Sequence, residues 1–434
     1  MEGIELGGLA QEKQIESLNK QVKLACCCAG FGVFLGWISF AIAVATPAGL
    51  IVGWEPFVHP TGVVLSTKAA QSLSHRDSSY VLGDSVFKGQ GEWASIPPMP
   101  RRLSDLSAVV VKQNNEDMVL ILGGMDENDR CNASATLFDP LLKTYTDLAP
   151  MPSPRVRFGA AVSNGRVYVA GGFLCSGANS AVDAVATDVV HVFDLAARTW
   201  SNGPSTSVKR GDPCAAAVGD TVYLVGGYDT ENNYAQLGSV ETLDASANPA
   251  VAGWKAGPSM PTPRGDTSCV NIDGHLGVLG GWNAEWTEPL GTFETLHGGA
   301  WTRRPSMRRP RGDFGAAVLP GGRLVVLGGE RSARARTQIS IHEADMFDFG
   351  AGVWVEVAPL VSPRFRFAAV AVDTGGEGRG EVYAFGGHSV CTTVTDPSTY
   401  AIVSNNCPAT AKSSVEAFLS VTHTPLFYYV DKSS

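Results

Sequence analysis

Pro154-Arg-Val-Arg-Phe-Gly-Ala-Ala-Val162 is followed by a glycine turn at Gly165 and by Val167-Tyr-Val-Ala-Gly-Gly-Phe173. A polar loop leads to Val189-Val-His-Val-Phe-Asp194, and Thr199-Trp200 closes the stretch. Short apolar runs bounded by turn residues read as strands, here four of them. The glycine pair ends the second strand and the tryptophan sits in the fourth. The unit recurs. Glycine pairs end an apolar run at Gly123/Gly124, Gly171/Gly172, Gly226/Gly227, Gly280/Gly281, Gly328/Gly329 and Gly386/Gly387, at spacings of 48, 55, 54, 48 and 58 residues. Such a period marks a repeat architecture, in which one supersecondary unit is copied along the chain.

An aromatic follows each of the first five pairs: Tyr145, Trp200, Trp254, Trp301 and Trp354. A Pro-Arg step opens the next unit at Pro154-Arg155, Pro263-Arg264, Pro310-Arg311 and Pro363-Arg364. These residues resemble the kelch repeat, each copy of which is one four-stranded blade of a β-propeller. The resemblance runs from about Trp93 to Ser420. It implies an all-β, six-bladed propeller over residues 92–434. The inner strands, rich in small residues (Gly159–Val162, Ala215–Val218, Gly315–Val318), would line the narrow axis, and the tryptophans would fill the space between neighbouring sheets.

The last repeat lacks a tryptophan-bearing fourth strand. Glu92-Trp93-Ala94-Ser95-Ile96 resembles the end of a repeat with nothing before it. Pairing the two chain ends removes open sheet edges, so the Trp93 strand is expected to complete the last blade. The competing fourth strand is residues 426–430.

The N-terminal part divides in three. Residues 1–23 form a polar tail with four Glu and three Lys. From Leu24 to Trp54 no charged residue occurs over 31 positions, and about 20 apolar residues span a bilayer as a helix. A single transmembrane helix is therefore expected at 24–54. Lys13, Lys20 and Lys23 precede it, against Lys68 after it, which favours a cytosolic N-terminus and a lumenal or extracellular propeller. Residues 55–91 read as a stalk.

Net charge is −9, with no basic domain, so a nucleic-acid partner is not expected. No Cys-x-x-Cys, His-Glu-x-x-His, Gly-x-Ser-x-Gly or phosphate-loop motif appears. No catalytic residue, metal or cofactor is assigned. Beyond the membrane segment the cysteines are Cys131, Cys175, Cys214, Cys269, Cys391 and Cys407. Cys391 and Cys407 are expected to close the long loop after Gly387, and Cys131 and Cys175 are placed for a second bridge. Cys214 and Cys269, in or beside inner strands, read as buried thiols. Asn132-Ala133-Ser134 is a glycosylation sequon.

Phase aligns the scattered polar residues. The position before each inner strand reads Asp105, Arg157, Asp212, Asp266, Asp313, Arg366, and the residue after each glycine pair reads Met125, Phe173, Tyr228, Trp282, Glu330, His388. In kelch propellers that bind peptides these positions contact the ligand. The resemblance therefore implies a charged ring with an aromatic arc (Phe173, Tyr228, Trp282) holding a protein or glycan. The plainer alternative is that ring carboxylates and guanidiniums pair with one another. Arg155, Arg210, Arg264, Arg311 and Arg364, one in nearly every repeat, read as structural. So do the three Arg-Gly-Asp triplets at 210–212, 264–266 and 311–313, because all fall at one repeat position. The favoured function is a non-catalytic, membrane-anchored binding module. The alternatives are a carbohydrate-active enzyme, epimerase or oxidase-like, and a cytosol-facing membrane adaptor.

Overall fold

The computed structural model describes residues 41–46, 49–54, 92–175, 185–247, 253–283, 288–333, 337–374, 380–388, 393–395, 402–405 and 414–419. The chain divides into two compact units, residues 1–81 with 428–434 and residues 82–427.

In the first unit, Ala41–Thr46 pairs antiparallel with Gly49–Trp54. This corrects the helix expected across residues 24–54, whose remainder lies outside the described residues. The physical reason is local: Ile42, Val44, Thr46, Ile51 and Val52 are β-branched and favour strands, and Pro47 cannot donate within a helix. Among the described residues no helix is long and apolar enough to cross a membrane.

The second unit is a propeller of six four-stranded antiparallel sheets. Blades 1 to 5 (residues 107–147, 159–202, 214–256, 268–304 and 315–357) each take their strands in chain order. Blade 6 combines Ala368–Asp373, Gly380–Phe385 and Val415–Leu419 with the N-terminal Glu92–Ile96. Trp93 lies opposite Phe418 in that pairing, so the expected closure is observed. The alternative, residues 426–430, lies outside the described residues. Blade 6 registers place Ile96 with Val415 and Phe385, beside the glycine pair, and Glu92 with Leu419 and Glu381. The chain therefore enters the propeller at the end opposite the glycine pairs. A further sheet, Glu330–Ala333, Thr337–Ser340, Thr393–Thr395 and Ile402–Asn405, joins the loops that follow the last two glycine pairs.

Each blade interface has its own apolar cluster, such as Leu106, Ile121 and Phe138 of blade 1 against Val370, Tyr383 and Phe385 of blade 6. The outer-strand aromatic ties each interface in a second way. The indole N–H of Trp93, Trp200, Trp254, Trp301 and Trp354 donates to Ala358 O, Ala149 O, Pro204 O, Pro258 O and Pro305 O at 2.7–3.0 Å. Tyr145 donates its hydroxyl to Pro97 O at 2.9 Å. Every acceptor lies in the exit of the preceding blade, so the bonds run once around the ring and through Trp93.

The glycine pairs are required sterically. Gly227 has φ +90°, and a Cβ there would lie 2.3 Å from Gly211 O. That distance admits no side chain, and glycine populates this φ without penalty.

Candidate functional site: a charged ring at the channel mouth

Asp105, Arg157, Asp212, Asp266, Asp313 and Arg366 sit at the end of the axis where the chain turns into each inner strand. All six have left-handed backbone, φ 48–54°. Backbone bonds pass from blade to blade here: Asp105 N to Arg366 O at 2.8 Å, Arg157 N to Asp105 O at 3.0 Å, Asp313 N to Asp266 O at 3.1 Å and Arg366 N to Asp313 O at 2.9 Å. With the residue that follows each, the six line a cavity of about 120 Å³.

Charge is distributed unevenly around this ring. Arg157 Nε lies 2.7 Å from Asp105 Oδ1 and Arg157 Nη1 lies 3.4 Å from Asp212 Oδ2. Arg366 Nε lies 3.1 Å from Asp313 Oδ2 and 3.7 Å from Asp105 Oδ1. His388 Nε2 is 3.7 Å from Asp105 Oδ2. Asp105 thus sits among three nitrogen donors. Burial opposes its ionisation, but Arg157, His388 and Arg366 outweigh burial and hold it well below the usual carboxylate range. The other side is starved of cations. Burial pushes Asp212 up to about 6; Arg157 opposes this, but its shorter contact is with Asp105, and Asp313 adds repulsion. Burial, then Asp313 and Asp212, push Asp266 well above its ordinary value. Glu330 rises to about 8 through burial and Asp313. Four ring aspartates and Glu330 face two guanidiniums and one imidazole. The ring is an acidic arc with a neutralised flank at Asp105.

The expected aromatic arc is placed differently. Phe173, Tyr228 and Trp282 are 4%, 1% and 1% exposed. Each lies on the glycine of the next blade's Arg-Gly-Asp triplet: a Cβ on Gly211, Gly265 or Gly312 would fall 2.2–2.3 Å from the ring atoms of Phe173, Tyr228 or Trp282. The triplet's glycine therefore makes room for the preceding blade's aromatic. Where the preceding blade offers Met125, Glu330 or His388, the facing position carries a side chain: Val156, Phe365 or Ser104. Tyr228 Oη donates to Asp266 Oδ2 at 2.8 Å and Trp282 Nε1 to Glu330 Oε1 at 3.0 Å. The arc is a wall that positions the acids, with no face open for stacking.

The arginines read as structural are fully buried. The Nη1 of each donates to the carbonyl of the first glycine of its blade's pair, from Arg155 to Gly171 O at 3.0 Å through Arg364 to Gly386 O at 2.9 Å. The second residue of the third strand then supplies an acid: Glu241, Glu294, Asp345 and Glu416 meet Arg210, Arg264, Arg311 and Arg364. Blade 2 breaks this rule. His191 stands there, and Arg155 Nε and Nη2 and His191 Nδ1 are buried without a hydrogen-bond partner. Burial, then Arg155, lower the His191 pKa to about 4. His191→Glu is expected to raise stability by about 1–3 kcal/mol, the usual cost of a buried unmet donor. Urea unfolding checks this; an unchanged or lower midpoint contradicts it. In the parent, His191 binds its proton more readily unfolded, near 6.5, than folded. Its contribution is present above that pH and is lost as pH falls towards about 4; in His191→Glu that loss disappears.

Disulfides join Cys131 to Cys175 and Cys214 to Cys269, with Cα–Cα distances of 6.3 and 5.5 Å. The second corrects the reading of Cys214 and Cys269 as thiols, because inner strands of adjacent blades converge towards the axis. Cys391 and Cys407 lie outside the described residues. Among the described residues no cluster of His, Cys, Asp or Glu is arranged to hold a metal.

The kelch motif model matches residues 154–207. Beta-scruin of Limulus polyphemus is 25% identical over 309 residues, 66% of this chain and 32% of its own length. Kelch-like protein terF of Aspergillus terreus is 27% identical, covering 63% of this chain and 61% of its own. Kelch repeat protein M-T8 of Myxoma virus is 33% identical over 40% of this chain and 31% of its own. The chain thus spans less than two thirds of each of these relatives. The solved structure of YjhT superposes with a TM-score of 0.54 at 14% identity, covering 69% of this chain and 97% of YjhT, which supports the fold alone. The chain carries a kelch motif and is folded as a kelch-type β-propeller of six blades.

Proposed function

We propose that the propeller is a non-catalytic protein-binding module whose channel mouth receives a basic side chain of its partner. One observation carries this reading. Six non-glycine residues hold left-handed backbone around one cavity, in a chain that uses 49 glycines. That conformation is tolerated by aspartate and costs arginine about 1–2 kcal/mol. Side chains kept at such a cost point to a role for the side chains themselves. The carboxylate excess sets the sign of the ligand, since a guanidinium or ammonium relieves the repulsion of Asp212, Asp266 and Asp313. Burial of Phe173, Tyr228 and Trp282 favours a basic protein segment over a stacked sugar.

Binding of basic, neutral and acidic peptides to the full chain tests this. Asp212→Asn with Asp266→Asn is expected to weaken the basic peptide by at least about tenfold, roughly 1.4 kcal/mol, without lowering the melting temperature. Preference for acidic peptides would overturn the reading. Affinity for the basic peptide is expected to rise with pH through about 6, as Asp212 ionises. The sign follows because the cation binds the deprotonated carboxylate.

We further propose that the propeller lies in an oxidising lumen or outside the cell. Two disulfides support the compartment. Protease added to sealed vesicles is expected to spare the propeller, and its digestion there would contradict the placement.

A further inference from the structure

Blade 1 lacks the buried arginine–acid pair. Leu103 stands where Arg155, Arg210, Arg264, Arg311 and Arg364 stand in the other blades, and Thr136 stands where the acid does. Arg101 approaches from outside instead. It forks onto Asp147 at 2.8 and 2.7 Å, with Nη1 3.4 Å from Thr136 Oγ1. Beside this ion pair opens a groove of about 470 Å³, walled by Arg101, Asp126, Arg130, Asp147 and Pro150 and by the sequon Asn132-Ala133-Ser134.

The sequon is held in place. Cys131, directly before it, is bonded to Cys175 of blade 2. Asn132 N donates to Gly124 O at 2.8 Å, and Asn132 O accepts from Arg155 N at 3.3 Å. Its side-chain Oδ1 accepts from Ser134 N at 2.6 Å, an Asx turn that commits the oxygen inward. Asn132 is half-buried and lines the groove.

We infer that Asn132 carries an N-linked glycan whose first sugar rests in this groove. An N-glycan is attached to sequon asparagines of secretory chains, so the fold must leave an exit for it. The groove is that exit. Its wall of guanidiniums and carboxylates offers donors and acceptors to sugar hydroxyls, and Pro150 offers an apolar edge. The inference rests on the lumenal or extracellular placement proposed above.

The test expresses the full chain in a eukaryotic cell and digests it with peptide:N-glycanase. Glu116→Thr serves as a control: Glu116 is exposed at the start of the second strand of blade 1, and the change makes Asn114, exposed in the turn before it, a sequon asparagine. The parent is expected to shift on digestion, and Asn132→Gln to show no shift. Release from the native parent is expected to be several-fold slower than from the denatured parent, and as fast in both states for a glycan on Asn114. A shift in Glu116→Thr with none in the parent overturns the Asn132 assignment and leaves the placement standing. No shift in either chain overturns both. A shifted parent whose glycan leaves equally fast native and denatured overturns the seat in the groove.

Discussion

Trp93→Ala in the full chain is expected to lower unfolding stability by about 3–5 kcal/mol, the range for truncating a large buried aromatic. Against a typical total of about 5–15 kcal/mol, that is a large share. Trp93 is 9% exposed and packs with Leu319, Leu327, Met346 and Leu360 at the interface of blades 5 and 6. Its indole N–H also donates to Ala358 O at 2.7 Å. The residue lies outside every complete repeat, so a chain closed by residues 426–430 would tolerate its loss. Trp93→Phe separates the two contributions. It keeps most of the apolar contact and is expected to lose about 1 kcal/mol with the hydrogen bond. Thermal unfolding of the parent and both variants gives the order, and an unchanged Trp93→Ala midpoint would remove this strand from the closure.

Glu294→Leu alone is expected to cost about 3–5 kcal/mol, because it leaves Arg264 charged and uncompensated in the blade. Arg264 Nη2 meets Glu294 Oε2 at 2.6 Å, with side chains 0% and 3% exposed. Burial already lowers the Arg264 pKa to about 10 despite Glu294. The double change Arg264→Met with Glu294→Leu is expected to recover much of the loss, since an apolar pair carries no desolvation cost. It does not recover the bonds from Arg264 Nη1 to Gly280 O and Thr292 O at 3.0 and 3.3 Å, so recovery should be incomplete. A double variant no better than Glu294→Leu would show that these carbonyl bonds, rather than charge pairing, are the arginine's main contribution.

Some of this is legible without coordinates. The glycine pairs and aromatics mark six units and their phase, because each blade meets the same local demands: a tight exit after the second strand and a filler on the fourth. Phase alone brings Asp105, Arg157, Asp212, Asp266, Asp313 and Arg366 into one ring. It also shows that the arginines ahead of the ring recur with the fold. The acids that meet those arginines are hidden, because loops of different length separate them: 31 positions from Arg210 to Glu241 but 52 from Arg364 to Glu416. Only the third-strand register exposes the common position, and with it the exception at His191.

How the residues after the glycine pairs pack was beyond one-dimensional reading. Phe173, Tyr228 and Trp282 vary in sequence as ligand-contacting residues would, yet each is matched to a glycine on the next blade, Gly211, Gly265 and Gly312, at separations of 38, 37 and 30 residues. Their burial depends on how neighbouring sheets meet at the axis. The same convergence turns Cys214 and Cys269 from separate thiols into a bridge. In residues 41–54, uniform apolarity signals burial without saying in which conformation, and β-branching there sets strands. Local residue chemistry thus specified the blades, their number and the charges at their openings. Packing around the axis assigned those charges their partners, closed the aromatic wall and left the acidic arc facing the cavity, because distance between blades is a property that no single repeat contains.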